Sequence, residues 1–259
     1  MSRWYAVLLA TLAVALTGCP RGRVQLPQVK STAKTVDETL ADADALYERR
    51  PDEAAVRESI GVYQTAAIGD PKRVEGAIGV IRSVAWLLEH GAKKDRKTLV
   101  AEALAAGNQC QLRTPGTARC DYWQAVARGT AAREHPSSGV VDLKNIIVLL
   151  QKADVAEPMM EEAGPARVLA LLLVRAPGWP VGPGDSDGAL IEAKKAVERA
   201  PAHPLNQIAL AECLKATGDV DGARLAYQKA VELGRKRGDV DGLDFAQQAD
   251  KALQKLAQQ

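Results

Sequence analysis

Gly184-Asp185-Ser186-Asp187-Gly188-Ala189 recurs as Gly218-Asp219-Val220-Asp221-Gly222-Ala223, and 218 minus 184 is 34. The register persists downstream: Ala193 aligns with Tyr227, Ala196 with Ala230, and Val197-Glu198 with Val231-Glu232. A motif that returns together with its neighbours is an internal repeat. Each unit opens with a Gly-Asp turn, sets small residues at helical contacts and closes near a proline such as Pro201. A period of this length fits a hairpin of two helices, and such hairpins stack because none buries its apolar face alone. A third copy, Gly238-Asp239-Val240-Asp241-Gly242, lies only 20 residues after Gly218 (238 minus 218), outside the 34-residue step. It opens the terminal helix, which ties the motif to helix starts.

The paired aspartates (Asp185/Asp187, Asp219/Asp221, Asp239/Asp241) invite a calcium reading. A calcium loop needs a further oxygen ligand two residues on and a Glu at its twelfth position, and neither is present. Capping of helix N-termini, where a carboxylate accepts orphan N–H groups and meets the dipole, accounts for them better. The 34-residue unit with these features resembles the tetratricopeptide pattern. It implies an all-α solenoid of antiparallel helical hairpins, placed at residues 36–259 and ended by a C-terminal capping helix.

Composition agrees with such a fold. Aromatics make up 4% of 259 residues and Phe245 is the single Phe, so the core must come from Ala, Leu, Val and Ile in closely packed helices. With 34 basic and 32 acidic side chains the formal charge is +2, which gives no broad electrostatic case for nucleic acid. The short basic runs Lys93-Lys94-Asp95-Arg96-Lys97 and Arg235-Lys236-Arg237 read as helix ends, where cations favour the last carbonyls.

Residues 1–18 read as a signal peptide: Arg3, an apolar stretch from Ala6 to Leu16, then Thr17-Gly18 before Cys19. The apolar run is short for a membrane-spanning helix, which needs roughly 20 residues. Leu16-Thr17-Gly18-Cys19 resembles the lipobox of bacterial lipoproteins, which implies lipidation of Cys19 and an envelope location facing the periplasm. Two or three acyl chains hold a protein firmly where one is marginal. Pro20, in place of the Asp that can retain lipoproteins at the inner membrane, favours the outer membrane. Residues 19–35, with two prolines and no helical period, read as the lipid-anchored tether. Cys110 and Cys120 flank a segment containing Pro115-Gly116, and an oxidising compartment lets them pair. Cys213 sits on an apolar helix face and reads as a small buried hydrophobe.

From Val36 onward the periodicity predicts helices over 35–49, 52–68, 72–89, 97–106, 121–133, 140–153, 164–175, 187–199, 204–217, 220–235 and 241–257. Residues 164–175 are apolar nearly all round, which implies a helix buried on most sides. The stretch 176–184, with three prolines and three glycines, cannot be helical and must bulge from its hairpin. The last helix carries Gln247, Gln248, Asp250, Lys251, Gln254 and Lys255, a polar outer face suited to the end of a solenoid.

The C-terminal half closely resembles the lipoprotein T-component of TRAP transporters, the TatT family. The resemblance rests on Cys120-Asp121-Tyr122-Trp123 with Gly129, on Gly164-Pro165-Ala166-Arg167-Val168-Leu169, on Pro177-Gly178-Trp179-Pro180, on Gly184-Asp185 and on Ala196 to Asn206. With weaker N-terminal hairpins it spans roughly residues 36 to 235. It implies a lipid-held helical repeat protein that partners a periplasmic solute-binding protein and offers a hydrophobic channel to apolar solutes. Met159-Met160-Glu161-Glu162-Ala163 departs from the family pattern, which sets aromatic and Gly residues there.

No Gly-x-Ser-x-Gly elbow, phosphate loop, Cys-x-x-Cys pair or zinc-protease pattern occurs, and the histidines 90, 135 and 203 are far apart in sequence. We therefore expect no enzyme, no cofactor and no metal. The candidates for a ligand or partner surface are Trp86, Tyr122, Trp123, Arg167 and Trp179. Trp86 and Trp123 fall on apolar faces and are core by default. Trp179 stands between prolines, where it either plugs the groove between hairpins or waits for a partner. Arg167, in a nearly all-apolar helix, should have a carboxylate partner or a bound anion. The expected function is a membrane-anchored, periplasm-facing helical-repeat lipoprotein that binds a protein partner in a TRAP-type uptake system. An apolar small-molecule binding module and an envelope-assembly adaptor without a solute role are the alternatives.

Overall fold

The computed structural model describes residues 34–91, 94–135 and 142–258. The signal peptide, Cys19 and nearly all of the tether lie outside these residues. Eleven helices are described: α1 (Val36–Tyr47), α2 (Glu53–Gly69), α3 (Glu75–His90), α4 (Arg96–Arg113), α5 (Ala118–Glu134), α6 (Leu143–Ala156), α7 (Gly164–Arg175), α8 (Ser186–Arg199), α9 (Pro204–Ala216), α10 (Val220–Arg237) and α11 (Val240–Leu256). Among the described residues no helix is long and apolar enough to cross a membrane.

Helix starts are written locally. Thr35 and Glu38 form a reciprocal capping box at α1, each side chain accepting from the other's backbone N–H. The three Asp-x-Asp-Gly copies behave alike: Asp185 accepts from Gly188 N at 3.0 Å, Asp219 from Gly222 N at 2.8 Å and Asp239 from Gly242 N at 2.7 Å. Glycine at the third helical position follows from that geometry. A Cβ on Gly188 or Gly222 would lie 2.4 Å from the capping carboxylate.

Each helix packs on the next, and α1, α3, α5, α7, α9 and α11 also touch one after another. Odd-numbered helices thus form one continuous layer and even-numbered helices the second, the two-layer arrangement of an α-solenoid. Because the odd layer is the more closely spaced, it is the inner, concave one. The core divides accordingly. A large cluster of Leu, Ile, Val and Tyr, including Tyr63, Ile81, Leu87, Ile146 and Leu150, fills α1 to α7. A second, centred on Ile208, Tyr227, Val231 and Leu256, joins α9 to α11. Between them runs a seam of small residues: Ala163, Ala166, Ala196 and Ala200 in one group, Ala170, Ala189, Ala193 and Cys213 in the other. Alanine at these contacts lets backbones approach closely, and the repeat-equivalent Ala189 and Ala223 are both fully buried.

Two sequence expectations change in detail. Helix α4 does not stop at Ala106 but continues to Arg113, so Cys110 lies in its last turns. Gly107 does not break it, because glycine there is an interhelical contact: a Cβ would come within 1.9 Å of Gln124 Oε1 on α5. Helix α7 is buried over Gly164–Arg167, Leu169 and Ala170, whereas Leu171 to Val174 are only half-buried. Helix α11 exposes Gln247, Lys251, Gln254 and Lys255, as its polar pattern implies. Its first turns reach the N-terminal hairpins: Asp241 pairs with Arg50 at 2.5 Å and Asp244 with His90 at 3.0 Å.

Candidate functional site

The five candidate residues fall in three places. Tyr122, Trp123 and Arg167 are buried together in the inner layer. Tyr122 and Trp123 meet edge to face at 5.2 Å on α5, and the Arg167 guanidinium lies beside the Tyr122 hydroxyl. Burial pushes the Tyr122 phenol up, and Arg167 opposes that shift.

Arg167 is 5% exposed, and its hydrogen-bond partners are an amide and two carbonyls, contrary to the carboxylate expected from its apolar surroundings. It donates to Asn206 Oδ1 at 2.8 Å, Glu161 O at 3.1 Å and Glu162 O at 3.2 Å. The reason is the turn before α7, where Glu161, Glu162 and Ala163 all have positive φ (48°, 53° and 67°). Such residues pay roughly 1–2 kcal/mol each for the left-handed conformation. Their inward-pointing carbonyls give a cation the acceptors that a carboxylate otherwise supplies. Fully buried Asn206 completes the lock, its Nδ2 donating to Glu162 O, Ala196 O and Ala200 O. His203, the N-cap of α9, accepts from Leu205 N at 3.2 Å. Burial, with Arg167 and Arg237 nearby, pushes its imidazole down to about 3. This cluster is a structural network that sets the α7–α9 junction.

Trp86 is half-buried on α3 and stacks on His90, ring centroids 4.7 Å apart. His90 also has Nδ1 2.9 Å from Trp86 O, and Asp244 raises its pKa. His90 lines an open cavity of about 610 Å³ with Glu89, Lys215, Tyr227, Asp244 and the α11 residues Gln247, Gln248, Lys251 and Lys255. A smaller groove of about 380 Å³ lies against α1 and α3. There Arg82 bridges the Tyr63 hydroxyl at 2.7 Å and Asp44 at 3.0 Å, and stacks on Tyr47. The larger cavity is lined mainly by charged and amide groups, whereas the groove mixes six charged side chains with Leu40, Ala41, Tyr63 and Ile78. Sequence reading missed Arg50, Arg82, His90 and Asn206, whose partners are distant in the chain.

Trp179 plugs no groove: it is 89% exposed, with Val181 beside it at 66%. The loop that carries it is nonetheless fixed. Gly184 N donates to Pro177 O at 2.8 Å, Val181 N and Gly182 N both donate to Gly178 O at 3.1 Å, and Asp185 N donates to Leu173 O on α7 at 3.1 Å. Gly184 is required by this fold-back, since a Cβ would lie 2.2 Å from Ala176 O.

Cys110 and Cys120 form a disulfide with Cα atoms 5.5 Å apart, linking the end of α4 to the start of α5. Cys213 is buried and its thiol is pushed up to about 12 by desolvation, which makes it unreactive. Among the described residues no group of His, Cys, Asp and Glu is arranged to hold a metal.

No family model and no curated protein matches the chain. Solved structures do. TTC0263, a tetratricopeptide-repeat protein of Thermus thermophilus, superposes with a TM-score of 0.64 at 21% identity, covering 85% of this chain and 99% of that one. Human IFIT1, solved as a dimer with m7Gppp-AAAA, superposes with a TM-score of 0.57 at 16% identity, over 85% of this chain and 50% of that one. At these identities the likeness concerns the fold, and the fold is that of a tetratricopeptide-like helical repeat.

Proposed function

We propose that this protein is a lipid-anchored, periplasm-facing helical-repeat scaffold whose exposed Trp179 loop docks a protein partner. Cys19 carries the lipid after removal of residues 1–18, residues 19–35 form the tether, and residues 36–259 present the binding surface. The observation that carries this reading is Trp179, 89% exposed on a loop held by its own backbone hydrogen bonds. An indole held out on a preorganised loop suits a docking site, because aromatic anchors carry a large share of interface energies and preorganisation lowers the cost of binding.

The partner is proposed to be a periplasmic solute-binding protein of a TRAP-type uptake system, on the strength of the TatT-like stretches, which include Pro177-Gly178-Trp179-Pro180. A role in binding an apolar solute is less favoured, because the larger cavity is lined mainly by charged and amide groups and the smaller groove is bordered by six charged side chains. The test is co-purification from crosslinked membranes with identification of the captured proteins. A solute-binding protein or TRAP permease recovered with the wild type, and depleted by Trp179→Ala, supports the proposal. Removing an interface Trp typically weakens binding by about 2 kcal/mol or more, roughly 30-fold. Equal recovery with both variants refutes the docking role, and recovery of neither protein class refutes the transport assignment.

A further inference from the structure

The cavity of about 610 Å³ between the ends of α3 and α9 and the faces of α10 and α11 gathers three lysines that form no ion pair within the protein among the described residues. Lys215 enters it from the last turn of α9, and Lys251 and Lys255 enter from α11, one turn apart. Among the described residues none of the three forms an ion pair or hydrogen bond within the protein. Both carboxylates of the lining are engaged elsewhere. Asp244 holds His90 at 3.0 Å and accepts from Gln248 at 2.9 Å, while Glu89 pairs with Arg133.

Lys215 and Lys255 also complement helix C-termini, which explains cations at those two positions. It does not explain Lys251, which lies earlier in α11, repels Lys255 at i,i+4 and faces Asp244 only through the field that helps lower that carboxyl's pKa. Nor does it explain why the amides of Gln247 and Gln248 and the Tyr227 ring border the same void. Lys215 from α9 and Gln247, Gln248, Lys251 and Lys255 from α11 border one opening, a lining suited to negative charge spread over several oxygens. The volume falls within the range of small-molecule sites. Flanking Glu89 and Asp244 set an upper limit on the charge density tolerated and offer acceptors to ligand hydroxyls.

We propose that this cavity binds a small organic anion bearing two or more carboxylates, held by Lys215, Lys251 and Lys255 with Gln247 and Gln248 donating hydrogen bonds. The site is separate from the Trp179 loop and does not depend on the docking proposal.

The test is isothermal titration of the full-length protein in neutral detergent at low salt, with citrate as the organic probe and inorganic phosphate as the comparison. Citrate is expected to bind with one-to-one stoichiometry. The triple variant Lys215→Gln, Lys251→Gln, Lys255→Gln should weaken it at least about tenfold, since three partly exposed ion pairs are lost. The control pair Lys194→Gln, Lys229→Gln, outside the cavity lining, should stay within about twofold under the same screening conditions. Matching circular dichroism melts establish that every variant folds. Absence of citrate binding overturns the proposal, as does a triple variant that binds like wild type. Phosphate binding as tightly as citrate overturns the assignment to multiple carboxylates.

Discussion

Replacing Arg167 and Asn206 singly and together tests whether a buried cation locks the turn before α7. Asn206→Leu removes the acceptor 2.8 Å from Arg167 and leaves the guanidinium buried with two carbonyls, at 3.1 and 3.2 Å. A hydrogen bond to a charged group contributes about 1.5–3 kcal/mol. The Nδ2 contacts to three carbonyls are lost as well, although Ala196 O, Ala200 O and Glu162 O each keep another donor. The expected destabilisation is about 3–4 kcal/mol. Arg167→Met removes the charge itself. It orphans Asn206 Oδ1, while Glu161, an exposed residue, can turn its carbonyl to water, so the expected loss is about 2 kcal/mol. The double variant removes the charge and its stranded partner together and should lose less than the sum of the singles by more than about 1 kcal/mol. Urea unfolding followed by far-UV circular dichroism measures all three. An Arg167→Met loss as large as that of Asn206→Leu, or additivity within about 0.5 kcal/mol, refutes the reasoning.

Reduction of the Cys110–Cys120 bridge, which closes a loop with sequence separation 10, should lower stability by about 2–3 kcal/mol. For a domain of this size that corresponds to a melting temperature roughly 5–10 °C lower, read by calorimetry with and without reductant. Two histidines should give opposite pH dependences. His203 is held neutral, with its pKa pushed down to about 3, so its contribution is present above the unfolded value of ~6.5 and is lost as pH falls toward 3. His90 is raised by Asp244, so its contribution is present below ~6.5 and is lost as pH rises through the raised folded value. Urea midpoints across pH should lose the acid-side slope in His203→Gln and the slope near and above neutral pH in His90→Gln. Cys19→Ala should move the protein from the membrane to the soluble fraction on cell fractionation, because no second anchor is proposed.

The helices were legible because their causes are local. The repeated Asp-x-Asp-Gly identifies three helix starts through a carboxylate that meets the N–H three residues on, and that contact depends on no other part of the chain. Small residues at equivalent positions announced the alanine seam for the same reason. What escaped the sequence depends on where distant elements meet. Gly107 looks like a helix end until Gln124 is seen to need the space. Glu161, Glu162 and Ala163 give no sign of left-handed backbone, because the carbonyl acceptors that stabilise it answer to Arg167 and Asn206. The Arg50–Asp241 pair joins residues 191 apart, and no periodicity encodes it. Trp179 was visible as an unusual residue, but its exposure depends on the fold-back at Gly184.

The measurement that bears most directly on the scaffold proposal is site-specific photo-crosslinking in intact cells, with a photoreactive aromatic amino acid in place of Trp179 and, as the comparison, in place of the exposed α8 residue Ile191. The proposal predicts a discrete adduct from position 179, identified by mass spectrometry as a solute-binding protein or TRAP permease, and none from position 191. Only background labelling from position 179, or the same products from both positions, would contradict it.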